Sequence, residues 1–181
     1  MLAKILLTTL AFTSFAWPAL AGDRSGWGVY GGASGMQATD ENSGEVYLPA
    51  GGGGGGIDYN QDKGEISFNY SLSETGNQAE STTSPELTWV KFNALAMEIR
   101  FWAGSFFIGP RFGLYNLVLS ETGSKISGMD QGFGYGWSTG WETDQGWFAQ
   151  FRREQARHLN PVGDLRLNLD GYSLLFGFRF H

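Results

Sequence analysis

The sequence predicts an all-β chain, an eight-stranded antiparallel up-and-down transmembrane β-barrel. Three observations carry this expectation. Apolar and polar residues alternate with period two along several segments, as they do when successive side chains point to opposite faces of a strand. Aromatic residues fill 15% of the 181 positions and glycine supplies 28 of them, yet mean hydropathy is slightly negative. Beyond Ala21, no segment approaches the roughly 20 apolar residues that a membrane helix needs. A barrel reconciles these facts, because half of each strand faces lipid and half faces a polar interior.

The first stretch reads apart from the rest. Lys4 is followed by an apolar run from Ile5 through Phe15, and the stretch closes with Ala19-Leu20-Ala21. A charged start, an apolar middle and small residues at the end predict a secretory signal peptide over 1–21, cleaved to leave the barrel at 22–181. The net charge of the chain is −6, which excludes a basic nucleic-acid footprint. Cysteine is absent, so stability must come from hydrogen bonds and packing.

The strand expectations follow from parity. Ile66, Phe68, Tyr70 and Leu72 share one face, opposite Ser67, Asn69 and Ser71. Leu95, Met97, Ile99 and Phe101 oppose Ala94, Ala96, Glu98 and Arg100. Phe106, Ile108, Pro110, Phe112 and Leu114 oppose Phe107, Gly109, Arg111, Gly113 and Tyr115. Phe133, Tyr135, Trp137 and Trp141 oppose Gly134, Gly136, Ser138 and Gly140, and Tyr172 to Phe180 places five apolar residues on one face. Strands are expected at 25–36, 50–60, 64–74, 87–101, 106–119, 130–142, 146–158 and 165–180. The run Gly51–Gly56 has low strand propensity and reads either as loop or as a strand of close backbone approach. Pro110 inside a strand removes a ladder hydrogen bond, so a bulge is expected there.

Turns at 60–64, 102–105 and 143–146 carry the Asp and Gly of hairpins. They alternate with longer polar connections at 37–49, 75–86, 120–129 and 159–164. Short turns at one end and long loops at the other suit a barrel in an outer membrane. Trp27, Trp102, Trp141 and Trp147 fall near the short-turn ends of strands and Trp89 near a loop end. Such rings favour the boundary between headgroups and hydrocarbon, so these five are expected to form interface girdles.

The ending Tyr172-Ser-Leu-Leu-Phe-Gly-Phe-Arg-Phe-His181 resembles the terminal strand of bacterial outer-membrane proteins, which closes on an aromatic residue. Here His181 follows Phe180. The resemblance is to the small eight-stranded group that includes the OmpA membrane domain and OmpX. It implies a Gram-negative outer-membrane location, recognition of the last strand by the barrel-assembly machinery, surrounding lipid and lipopolysaccharide as partners, and a monomer.

Ala156-Arg157-His158-Leu159-Asn160, with Asp170 shortly before Tyr172-Ser173-Leu174, is similar to the late-chain element of lipid A 3-O-deacylases. That resemblance implies His158 as general base and Asp170 as the group that orients it. The nucleophilic serine is missing, since Leu159 runs straight into Asn160. Acyl-ester hydrolysis by this route needs a hydroxyl beside the imidazole.

The face opposite the lipid side is charged. Glu98, Arg100, Arg111, Arg152, Glu154 and Arg179 are expected in the lumen, with Ser67, Asn69, Tyr115 and Gln150. Buried charges need partners, and eight strands leave room only for side chains. An ion-pair network and no wide pore are therefore expected. Arg153 and Arg157 fall on the other face near the outer rim, where guanidinium groups suit lipid phosphates. Asp40, Glu41 and Glu45 read as a solvated acidic loop and not a calcium site. No histidine cluster suggests a metal. The glycine runs Gly51–Gly56 and Gly132–Gly136 precede no helix, so they are not phosphate cradles, and no cofactor is implied. Gly134, Gly136 and Gly140 are expected to make room for large lumen side chains. The leading functional expectation is a structural or surface-interaction barrel. The alternatives are a lipid A deacylase-like hydrolase and a narrow channel for small solutes.

Overall fold

A computed structural model describes residues 23–81, 87–121, 128–159 and 166–181. The expected signal peptide lies outside the described residues. Eight strands, β1 (Gly26–Asp40), β2 (Val46–Asp62), β3 (Ile66–Ser81), β4 (Leu87–Ala103), β5 (Phe106–Glu121), β6 (Gly128–Glu142), β7 (Trp147–Leu159) and β8 (Leu167–Phe180), follow one another in chain order. Each pairs antiparallel with its sequence neighbours, and β8 returns to β1, closing the barrel. That last seam runs in one register from Trp27↔Phe180 to Asp40↔Leu167. Closure satisfies backbone groups that would otherwise be exposed to hydrocarbon. Gly64, Gly104 and Gly146 supply the left-handed backbone of the three tight turns.

Parity sets the two faces. Along β8, Tyr172, Leu174, Phe176 and Phe180 are exposed while Ser173, Leu175 and Arg179 are buried. Along β5, Phe106, Ile108, Phe112 and Leu114 point out and Phe107, Arg111 and Tyr115 point in. The outward apolar residues form a continuous belt. It ends where Gln37, Glu74, Asn93, Asn116, Gln131, Arg153 and Asp170 take the outward positions. Between Tyr172 and Phe180 the belt spans about nine residues, the length of a tilted membrane strand.

The strands do not stop at that boundary. Only residues 41–45 separate β1 from β2, and β3 continues to Ser81. The loops expected at 37–49 and 75–86 are therefore largely strand. The reason is an inversion of polarity. Above the belt, polar residues point outward and apolar ones inward. Met36, Phe92, Tyr115, Leu117, Leu159, Leu167 and Leu169 form a buried cluster inside the loop end. Each buried leucine contributes about 1.5–3 kcal/mol by leaving water. The alternation persists while its meaning reverses, so a search for an apolar outer face ends too early.

Two local expectations resolve differently. Gly51–Gly56 is strand: Gly55 pairs with Gly31 on one side and Glu74 on the other. Pro110 produces no bulge. The β4–β5 pairing passes from Glu98↔Arg111 to Phe101↔Ile108 in one register, and Pro110 stays opposite Trp137. The ladder is interrupted beside the proline without an inserted residue. Irregularities lie elsewhere. Pairing in β1–β2 lapses between Ala33↔Gly53 and Ala38↔Tyr47, and β7 carries an extra residue between Ala156 and Leu159.

Candidate functional site

The lumen below the apolar cluster holds the main concentration of described charge. Glu142 on β6 accepts from Arg179 Nε at 3.0 Å, and Arg179 Nη1 reaches Asp58 on β2 at 3.0 Å. Asp58 also accepts from Asn69 at 2.8 Å and faces Arg100 Nη2 at 3.7 Å. Arg100 Nε donates to Glu98 at 2.6 Å. Glu98 faces Arg111 Nη1 at 3.9 Å. Arg111 Nε donates to Glu154 at 2.6 Å, and the Tyr115 hydroxyl donates to the same oxygen at 2.9 Å. The signs alternate from the turn end upward: Glu142, Arg179, Asp58, Arg100, Glu98, Arg111, Glu154.

Arg152 stands beside this chain. Its guanidinium donates to the Tyr30 hydroxyl at 3.1 Å and Gln150 Oε1 at 3.0 Å, and lies 4.5 Å from the centre of the Tyr30 ring. Gln150 in turn donates to Glu98 at 3.1 Å. At the turn end, Arg24 caps the lumen, donating to Gly104 O at 2.7 Å and stacking 4.2 Å over Trp102.

All six charged residues expected in the lumen are thus placed there, in one network. The sequence reading missed Asp58 and Glu142. Its set held four arginines against two carboxylates. Adding these two matches the four arginines with four carboxylates, as burial in a low-dielectric interior favours, and Arg24 stands as a further cation at the turn end. The signal was available in parity: Asp58 alternates with outward Ile57 and Tyr59, and Glu142 follows outward Trp141.

Trp102 corrects an expectation. It does not join an interface girdle, since it is only 9% exposed and donates to Ser67 Oγ at 2.8 Å. Trp102 shares parity with Glu98 and Arg100, so the alternation that places those groups inside places the indole inside too. Trp27, Trp141 and Trp147 are outward and exposed near the turn end. Trp89 lies on β4 opposite Ser120, but its side chain falls outside the described residues.

The glycines of β6 divide in their reasons. A Cβ on Gly134 would lie 2.5 Å from the Tyr115 ring, and one on Gly140 2.6 Å from the Phe107 ring. A Cβ on Gly136 would instead meet the Arg153 carbonyl at 2.0 Å. Close strand approach therefore requires glycine at Gly136, and at Gly140 too, where the Ala149 carbonyl would lie 2.4 Å from a Cβ.

Among the residues of the hydrolase resemblance, Asp170 and Ser173 fall on opposite faces of β8. Asp170 points outward, and Arg153 holds it through two hydrogen bonds, Nε to Oδ1 at 3.2 Å and Nη2 to Oδ2 at 2.7 Å. Gln155 donates to Oδ2 at 2.8 Å. Ser173 lies on the inward face of β8. His158 belongs to β7, and its side chain lies outside the described residues. Arg153 already has a carboxylate partner and stacks 5.4 Å over Tyr172. Arg157 and Arg166 are exposed on the same β7–β8 side above the belt. In the first loop, Asp40 is occupied by the turn itself, accepting from Ser43, Asn42 and the Arg166 amide.

No protein-family model matches the chain, and no curated protein does. Solved structures do. Ail, the attachment invasion locus protein of Yersinia pestis, superposes with a TM-score of 0.60 at 12% identity, covering 86% of this chain and 99% of Ail. Neisserial surface protein A gives 0.57 at 17% identity, covering 88% of this chain and all (100%) of that one. OprG from Pseudomonas aeruginosa gives 0.54 at 10% identity, covering 88% and 98%. The chain has the fold of these small eight-stranded outer-membrane barrels.

Proposed function

We propose that this chain is a sealed barrel anchored in the Gram-negative outer membrane, with a structural or surface-interaction role. The carrying observation is the filled interior. An alternating ion ladder occupies the lumen within the belt, and an apolar cluster occupies it above. Charged side chains and packed leucines in series oppose an open water path, so the channel reading is the weaker one. Planar-bilayer recording of the purified barrel is expected to show no steady conductance above bare lipid. A stable ohmic step would overturn the sealed reading.

The outward β7–β8 side is the candidate surface for lipopolysaccharide. Arg157 and Arg166 project there above the belt, and Arg153 is shared with Asp170. Guanidinium groups match phosphate geometry well. Replacing Arg157 and Arg166 together by glutamate is expected to lower the lipopolysaccharide retained on purification, measured by mass spectrometry. Equal retention would remove this contact from the reading. Ail has been solved with the heparin analogue sucrose octasulfate, so a sulfated competitor added in the same assay tests whether the facet prefers any polyanion.

The last strand pairs with both β7 and β1 and closes the cylinder, which supports its use as the segment read by the assembly machinery. Closure on itself also supports a monomer. Hydrolysis of lipid A is the lesser reading, because Asp170 is engaged by Arg153 and Gln155 and no serine adjoins His158. The acyl pattern of lipid A is expected to be the same with and without expression.

A further inference from the structure

The strand pairing climbs as it passes round the cylinder. Followed strand by strand from Trp27, the paired positions run through Met97 on β4 and Gln155 on β7 and return to β1 at Gln37, ten residues nearer the loop end. Each step from strand to strand therefore climbs by about one and a quarter residues, and a residue in a strand tilted by about 40° adds roughly 2.5 Å of height. On this scale the apolar outer face does not end level. On β6 it reaches Phe133 and on β8 it reaches Tyr172. On β7 it stops at Phe151, because Arg153 takes the next outward position. From the register, Phe151 lies about 12 Å below Phe133 and about 8 Å below Tyr172. Tilting the whole barrel changes heights smoothly round its circumference, so it cannot remove a dip with higher edges on both sides.

The dip is polar. Arg153 pairs directly with Trp137 on β6 and Tyr172 on β8, both of them outward and apolar-faced. Its guanidinium climbs to Asp170, yet the two side chains remain 38% and 32% exposed. Gln155 joins the same carboxylate. Two of the five guanidinium N–H groups go to Asp170. The stem of Arg153 shortens the distance to water, but its guanidinium stays over Tyr172, a position about 4 Å below Phe133. An ion pair held against acyl chains is costly, so the polar layer of the bilayer must come down to meet it. The facet is also cationic. Arg153, Arg157 and Arg166 stand there against Asp170 and Glu41.

We propose that this notch on β7 lowers the outer surface of the bilayer and seats the phosphate of a lipid headgroup above Phe151, between the facets of β6 and β8. The phosphate accepts from Arg153 below and Arg157 above, a match of charge and geometry that guanidinium groups suit. The lipid's acyl chains then lie against Phe151 and Ala149, lower than those beside β6. This deepens the reading of the β7–β8 side as a lipid contact, on which it rests, by giving that contact a depth.

Matched spin labels provide the test, since the chain has no cysteine of its own. Met97 lies on the outward face of β4 at nearly the height of Phe151, but the first polar outward residue above it is Asn93. Nitroxides are attached through Phe151→Cys and Met97→Cys in separate proteins, folded into phosphatidylcholine vesicles. Collisions with oxygen and with a water-soluble nickel chelate give the depth of each label. The label at 151 is expected to read about 6 Å shallower than the label at 97, the difference in height between Arg153 and Asn93. Arg153→Leu combined with Asp170→Leu should erase most of that difference. If either label prevents folding, Ala149 and Ile99 form a second pair of sites at matched height. In vesicles of digalactosyldiacylglycerol, a lipid without phosphate, the difference should shrink. Equal depths at 151 and 97, or a difference that survives the double leucine variant, would overturn the notch. A difference of full size in the galactolipid would overturn phosphate as its occupant. These vesicles hold no lipopolysaccharide, so the outcome is independent of whether the barrel retains that lipid on purification.

Discussion

Arg111 and Glu154 meet at 2.6 Å although β6 stands between their strands, so the pair spans the lumen and does not follow the sheet. The bond ties β5 to β7 from inside. Removing one partner strands the other in a site with little water. Arg111→Met and Glu154→Gln are each expected to cost about 3–5 kcal/mol in urea unfolding from lipid vesicles. The double variant should cost less than the sum. Costs that simply add within about 0.5 kcal/mol would show the two groups to be uncoupled.

The indoles of Trp102 and Trp147 occupy opposite sides of the wall, one 9% and the other 58% exposed. Brominated lipid should quench the fluorescence of a variant retaining only Trp147 and leave a variant retaining only Trp102 nearly unchanged. Trp102→Phe also breaks the hydrogen bond to Ser67 and should cost about 1 kcal/mol. Strong quenching of Trp102 would place it back at the lipid boundary.

Leu117 and Leu114 lie near one another on β5 but face different media. Leu117 is buried in the upper cluster, and Leu114 is exposed on the belt. Leu117→Ala leaves a cavity and is expected to cost about 2–5 kcal/mol. Leu114→Ala should cost clearly less, because mobile acyl chains fill the space. Equal losses in vesicle unfolding would argue against a packed core above the membrane.

The Ser43 hydroxyl, aided by the amides of Asn42 and Arg166, holds the Asp40 carboxyl below its ordinary range, against the smaller opposing effect of burial. A lowered folded value means that the turn is stabilised above the ordinary carboxylate range. That contribution fades as pH falls through the lowered value. Protection of the Asn42, Ser43 and Arg166 amides against hydrogen exchange, taken relative to the unstructured rate at each pH, should fall on acidification below about pH 4. In Ser43→Ala the loss should begin at higher pH. Identical profiles for the two proteins would dismiss this account.

Parity along the chain determined most of what the barrel is. Ile66 to Leu72 and Tyr172 to Phe180 announced their lipid face without any partner strand, because a side-chain period of two is a property of the strand alone. The same parity places Glu98, Arg100, Arg111, Arg152, Glu154 and Arg179 inside. It also places Trp102 there, against the general preference of tryptophan for interfaces. Tertiary structure decided the rest, since it depends on what lies across the lumen. Asp58 became a partner of Arg179 only when β2 curled round to face β8. Met36, Leu117 and Leu169 became a core only because the strands continue above the bilayer, where water outside and packing inside reverse the value of each face. Asp170 acquired Arg153 on the neighbouring strand as its partner through the β7–β8 register, which spacing along the chain does not reveal.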